Sequence, residues 1–193
     1  TTFNNSLILP KFDTSLGTLT SISFTLGGNI LATEKFESQD SSASTVNSSV
    51  GAKLTLQRPD LSTLLITLPG TTFSDSVSAY DGILDFGGTS GLTRSNITAS
   101  GSNSAIFTSA SDLALFSALG GGTISLNVKG EGNSSASGPG NLIASFSTSA
   151  AANAGVTYAY NPTSATPEPS SMALMAVGLS AAGLIGRKRL TKK

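Results

Sequence analysis

The chain has 193 residues, with 11 basic and 11 acidic side chains and no net charge. Charged residues make up only 11% of it, against about 25% in an average soluble chain, and 33 Ser and 23 Thr supply the polar surface instead. The absence of His, Cys and Trp excludes thiol nucleophiles, disulfides, Ser-His-Asp triads and the zinc, haem and iron–sulfur sites that need His or Cys.

Short segments of period-two alternation, the pattern of half-buried strands, follow one another through residues 1–160. Thr1–Pro10 reads as an extended segment suited to completing the sheet edge of a neighbouring copy. Ile22, Phe24 and Leu26 alternate with Ser21, Ser23 and Thr25. Gln39–Ser49, rich in Ser, reads as a long loop. Leu54 and Leu56 then bracket Thr55, and Leu64, Ile66 and Leu68 bracket Leu65 and Thr67. Ser111–Leu119 is predicted to be a short helix, with Ser111 as its cap, Asp112 in its first turn and Gly120 at its end. Ile124, Leu126 and Val128 alternate with Ser125 and Asn127, and Gly130–Asn141 reads as a second long loop. Val156, Tyr158 and Tyr160 alternate with Thr157 and Ala159, which predicts a last strand with three large side chains on one face and phenolic oxygens reaching a polar partner at the sheet end. Many short strands punctuated by Gly, Pro, Asn and Asp predict an antiparallel β-sandwich, jelly-roll-like, with one short helix. The domain is expected to span 1–160, with a linker at 161–166 that holds it close above the membrane.

The tail has a different character. Residues 170–186, SSMALMAVGLSAAGLIG, carry no charge. As a helix they reach about 26 Å, slightly less than a hydrocarbon core of roughly 30 Å. Arg187, Lys188, Arg189, Lys192 and Lys193 follow at once, so snorkelling supplies the missing length and the basic end stays cytoplasmic. Pro167, Glu168 and Pro169 stand just before the span, where two prolines keep the chain extended and open to a protease. Proline–acid–proline, apolar span and basic cluster over residues 167–193 resemble the PEP-CTERM sorting signal. The resemblance implies recognition and cleavage by exosortase at or near Pro167–Pro169, a Gram-negative-type envelope and an extracellular polysaccharide context. It also implies a protein that is exported, anchored transiently in the inner membrane, and then placed on the cell surface or outside the cell. Thr1 is not preceded by a basic and apolar leader, which fits an export signal already removed or omitted.

The body carries a second resemblance. Leu9-Pro10-Lys11-Phe12-Asp13 with Leu16-Gly17-Thr18-Leu19-Thr20, then Tyr80 to Gly91 (YDGILDFGGTSG), then Val156-Thr157-Tyr158-Ala159-Tyr160 are similar to the opening, central motif and closing strand of the choice-of-anchor E domain. That likeness covers residues 3 to about 160. It implies export with a C-terminal anchor, and it implies no activity.

Asp81 and Asp85 with Gly82, Gly87, Gly88 and Gly91 form the sharpest local cluster. Such residues suit either a hard-cation site of carboxylates and carbonyls or a turn in which Gly takes positive φ and Asp accepts from nearby amides. The spacing matches no EF-hand loop, and the turn is the preferred reading. Nothing singles out a pair of glycosidase carboxylates, and no Ser-x-x-Lys spacing occurs, so no catalytic residue, metal or cofactor is expected. Asn4, Asn47, Asn96 and Asn133 open Asn-x-Ser/Thr triplets at about the frequency that chance supplies in so hydroxyl-rich a chain. Six bases against ten acids precede Pro167, which disfavours nucleic acid. The expected function is a structural or adhesive component of the cell surface or matrix in contact with polysaccharide. The alternatives are a filament subunit that assembles by strand donation from Thr1–Pro10 and, more weakly, a carbohydrate-binding module.

Overall fold

The computed structural model describes residues 2–138 and 140–163. The chain divides into two compact units, Thr1–Asn161 and Pro162–Lys193; the predicted span 170–186, its proline motif and its basic tail lie outside the described residues.

The elements in order are β1 (Thr2–Pro10), β2 (Phe12–Asp13), a single 3-10 turn (Thr14–Leu16), β3 (Gly17–Ser38), β4 (Ser44–Gln57), β5 (Thr63–Thr67), β6 (Gly70–Val77), β7 (Gly91–Phe107), α1 (Ala110–Leu115), β8 (Ser117–Ala118), β9 (Thr123–Gly132), β10 (Ser135–Ser137) and β11 (Leu142–Pro162). The fold is mostly β, and its two larger sheets are antiparallel. One sheet has six strands built around β4, and the other has the order β11-β3-β7. A two-stranded parallel pair, β2 and β8, completes the set.

On one side β4 pairs with β6 along Ser44–Gly51 and with β5 along Leu54–Gln57. On the other it pairs with β9 along Ala52–Gln57 and with β10 along Asn47–Ser49. The chain therefore breaks twice at the same level, at Leu68–Pro69 and at Asn133–Ser134, with Gly51 between the breaks. A Cβ on Gly51 would lie 3.1 Å from the Pro69 carbonyl and 3.2 Å from that of Asn133. Ala52 donates to the Pro69 carbonyl and Asn133 to the Gly51 carbonyl, which satisfies the interrupted backbone.

Core side chains come from both sheets. The largest cluster contains Ile22, Phe24 and Leu26 of β3, Leu56 of β4, Leu64 and Leu65 of β5, Ile124, Leu126 and Val128 of β9, and Phe116 beyond α1. A second gathers Ile30, Ala32, Val50, Ala52 and Ile97, and a third Phe36, Val46 and Val77. Between the first two, the facing glycines Gly28 and Gly101 bring the sheets close. A Cβ on Gly28 would overlap Leu54 Cδ1, and one on Gly101 would lie 3.0 Å from Thr67 Oγ1.

Several expectations shift. The helix is Ala110–Leu115, capped by Ser109 rather than Ser111. Ser109 Oγ accepts from the Asp112 amide and donates to the Asp112 carboxylate, an N-cap that places the start two residues earlier. The helix ends before Gly120 because the chain leaves it to pair β8 with β2, and Gly120 (φ 76) lies in the turn that follows. Both predicted long loops contain strands. Ser44–Ser49 belongs to β4, Gly130–Gly132 to β9 and Ser135–Ser137 to β10, because partners on both sides of β4 hold backbone that its side chains alone do not mark as strand. In β5 the buried residues are Leu64, Leu65 and Thr67, while Leu68 is 65% exposed. A register shift between Leu56 and Gln57 and the break at Pro69 turn the strand relative to its simple alternation. Thr2–Pro10, read as a donor segment, is paired in its own sheet, from Thr2 opposite Glu131 to Pro10 opposite Thr123. β11 runs two residues past Tyr160, into the segment assigned to the linker.

Candidate functional site

Alternation in β3 breaks at Glu34-Lys35-Phe36-Glu37-Ser38, where both glutamates are fully buried. A buried carboxylate needs partners, and each of these gathers a different part of the chain. Glu34 accepts from Ser48 Oγ at 2.8 Å and forms an ion pair with Arg94. Arg94 also reaches Asp75 Oδ1 at 2.8 Å, and its guanidinium lies 3.9 Å from the centroid of the Phe73 ring. Strands β3, β6 and β7 thus meet at one guanidinium, whose planar fork serves two carboxylates at once, and β4 joins through Ser48 on Glu34.

Glu37 organises the loop between β6 and β7. Its Oε2 accepts from the Phe86 amide at 2.8 Å and its Oε1 from Ser90 Oγ at 2.6 Å. Phe86 takes φ 58, and Gly82 and Gly88 take φ 93 and 62. A Cβ on Gly91 would overlap Glu37 Oε2. Asp81 Oδ1 accepts from the Ile83 amide at 3.0 Å, and Asp85 Oδ1 accepts from the Gly87 amide at 2.8 Å. Each aspartate closes a turn on its own backbone two residues ahead. Among the described residues no group of three His, Cys, Asp or Glu side chains converges as a metal site would require. The cluster is built as a turn clasped onto Glu37. The short spacing of Asp and Gly made the turn legible, whereas Glu37, 49 residues earlier than Phe86, carried no local signal. The break in alternation at Glu34–Glu37 was the available clue to both buried acids.

On the opposite side of the unit, β1 and β11 are the edge strands of the two sheets. Between them lies a cleft of about 460 Å³ lined by Phe3, Asn5, Leu7, Val128, Ala150 and Ala152, among others. Near one end Tyr158 donates its hydroxyl to the Pro10 carbonyl at 2.6 Å. Its ring lies 5.8 Å from that of Phe12, and the Tyr160 ring 5.0 Å from the same phenyl. Val156 and Tyr158 pack against the main core, and burial pushes the Tyr158 phenol up to about 12. At α1, burial alone would raise the Asp112 carboxyl, but hydrogen bonds from Arg58 and Ser109 outweigh it and hold the group below its usual range.

The remaining predicted site residues are dispersed or undescribed. Asn4 lies in β1 and Asn47 in β4; Asn96 takes φ 57 beside the register shift in β3, and Asn133 joins β9 to β10. Pro167, Glu168, Pro169, Arg187, Lys188, Arg189, Lys192 and Lys193 lie outside the described residues.

Comparison with known proteins identifies the tail. Residues 165–189 match the PEP-CTERM protein-sorting motif. The match includes Pro167–Pro169 and Arg187–Arg189 and ends before Lys192 and Lys193. This signal marks an exported protein, transiently anchored in the membrane and processed by exosortase. No curated protein matches the chain. Among solved structures the chain is similar to T=1 particles derived from infectious bursal virus, at 12% identity over 81% of this chain and 31% of that one, with a TM-score of 0.21. It is also similar to the Gx strain of infectious bursal disease virus, at 13% identity over 96% and 46%, with a TM-score of 0.18. The chain spans less than half the length of these proteins, and scores this low do not establish a shared fold.

Proposed function

We propose that this chain is a structural or adhesive protein of the bacterial cell surface or extracellular matrix. In this reading its β-unit is a jelly-roll-like sandwich of the choice-of-anchor E kind, without catalytic activity, released from the membrane by cleavage at or near Pro167–Pro169. The observation that supports it most is the chemistry of the three-stranded sheet. β11 has no charged residue, β7 has none after Arg94, and β3 has none before Glu34. Across β3 and β7 the exposed pairs are Thr25 with Ser104, Asn29 with Ser100, Leu31 with Thr98 and Lys35 with Thr93. The hydroxyls and amides of this face donate to and accept from neutral polysaccharide, with Lys35 as an exposed charge toward the end of β3.

Processing is tested by the intact mass of the protein recovered from the cell surface. The reading expects a form that ends near Pro167–Pro169, and a mass that includes Lys193 in most molecules overturns it. Replacing Glu168, or both prolines, is expected to leave the precursor in the membrane fraction. The adhesive role is tested by co-sedimentation of the mature protein with the polysaccharide of its own matrix. A protein that stays entirely in the supernatant at low and high salt refutes that role.

A further inference from the structure

We propose that the outer edge of β11 is a pairing surface for β11 of a second copy of this chain. The two strands run antiparallel about a twofold axis, so that two three-stranded sheets join into one. The inference concerns assembly and stands apart from any contact with polysaccharide.

An unpaired strand edge presents a row of N–H and C=O groups that templates another strand, and proteins normally blunt such edges with charge, proline, bulges or cover. The edges of this unit are treated very differently. The edge formed by β7 is tied to the facing sheet by the Arg94–Asp75 ion pair at 2.8 Å and by Asn103 Nδ2 donating to the Ile66 carbonyl at 2.8 Å. β7 also carries a cation, Arg94, and the positive φ of Asn96. β11 is joined to the facing side by the Tyr158 hydroxyl on the Pro10 carbonyl at 2.6 Å and by Thr148 on Ser134 at 3.4 Å, but it carries no cation and no positive φ. It is 21 residues long, with no charged residue, no positive φ and no proline before its last position. At about 3.3 Å per residue its edge extends for roughly 70 Å. β1, the other edge strand on that side, has 9 residues.

The chemistry of β11 suits its own copy. Like charges opposed across a strand pair are destabilising, and self-pairing of an uncharged strand opposes none. Ala150, Ala151 and Ala152 stand at the middle of the strand, so the smallest side chains flank a central axis. Beside them the cleft between β1 and β11 leaves Phe3 and Leu7 only partly buried, and a strand added at β11 brings cover to that side. An isologous pair of this kind closes on itself and yields a dimer rather than a fibre. The sorting motif begins at Ala165, three residues beyond the end of β11. Copies anchored in one membrane meet at a raised effective concentration.

The chain has no cysteine, so single cysteines report the contact directly. The full chain in detergent micelles is oxidised with one residue of 145–157 at a time replaced by Cys. Where the axis passes, the two copies of one residue lie directly opposite, with Cα atoms about 4.5–5.5 Å apart, within disulfide reach. Two positions away the copies are separated by roughly 13 Å more. The expected result is a single maximum of disulfide-linked dimer, falling at least about tenfold two residues to either side. Exposed lysines at Ser149→Lys and Asn153→Lys are expected to abolish that maximum while the circular dichroism spectrum and melting temperature are retained. Three results overturn the proposal: no cross-link anywhere in 145–157, equal yield at every position (association through the apolar tail alone), or a stronger cross-link from Ile8→Cys on β1. A maximum that survives the lysines in a folded protein also overturns it.

Discussion

Gly28→Ala tests whether the close approach of the two sheets is a packing requirement. The new methyl would overlap Leu54 Cδ1 and lie 3.1 Å from Thr67 Cγ2 and 3.3 Å from Pro69 Cγ. Leu54 is fully buried, and the strand opposite, at Gly101, already rests against Thr67 and Pro69, so neither side has room to yield. Overpacking of this kind costs about 1–3 kcal/mol. Replacing glycine returns about 0.4–1 kcal/mol by restricting the unfolded chain. The net expectation is a destabilisation of about 1–2 kcal/mol, read as a fall of roughly 2–8 °C in melting temperature at about 2–4 °C per kcal/mol. Leu54→Ala alone is expected to cost about 2–5 kcal/mol through the cavity it leaves. In that background the Gly28→Ala methyl enters vacated space, so the double variant is expected to be more stable than the sum of the singles by at least about 1 kcal/mol. Gly27→Ala is the control. Its methyl would meet only the side chain of Asn153, which is exposed and free to swing away, and it should stay within about 0.5 kcal/mol of the parent. Thermal and urea melts followed by circular dichroism measure all four variants. A neutral Gly28→Ala, or additivity with Leu54→Ala to within about 0.5 kcal/mol, refutes the reasoning.

Tyr158→Phe removes the hydrogen bond to the Pro10 carbonyl and is expected to lower stability by about 1 kcal/mol at neutral pH. Because the folded phenol titrates at about 12 and the ordinary value is 10.0, its contribution is complete below the unfolded value and is lost as pH rises from there through the folded one. Melts across that alkaline window should show a loss of stability that Tyr158→Phe reduces, and identical alkaline profiles would contradict the assignment. Glu37→Gln leaves one acceptor oxygen where two donors, the Phe86 amide and Ser90 hydroxyl, now bind. It is expected to cost about 1–3 kcal/mol and to speed hydrogen exchange at the Phe86 amide; unchanged exchange there would show that Glu37 does not hold the loop.

Some of this protein is legible residue by residue. Ile22, Phe24 and Leu26, and likewise Ile124, Leu126 and Val128, announce their strands because every second side chain is large and apolar, and all six are buried. Val156 and Tyr158 reach the main core as their spacing indicates, and Tyr160 packs on Phe12. The sorting signal is legible for a related reason. Its proline motif, apolar run and basic cluster are contiguous, and their order alone carries the information, which the match over residues 165–189 recovers.

Features that depend on distant partners were not legible. Ser44–Ser49 forms strand because β6 and β10 flank it, although the segment reads as a polar loop. Thr2–Pro10 finds its partner more than a hundred residues away in β9, and nothing within the segment distinguishes pairing at home from pairing with a neighbour. Glu34 and Glu37 look like surface charges until Arg94, Ser48, Phe86 and Ser90 close around them. Gly28 carries no sign in the sequence that Leu54 occupies the space above it. Sequence by itself determined where backbone periodicity buries side chains and where the chain is marked for export, since both are local properties of contiguous residues. Tertiary structure decided which edges are closed and which buried charges are satisfied, because backbone hydrogen bonds in a sheet and the neutralisation of a buried carboxylate are supplied by residues far away along the chain.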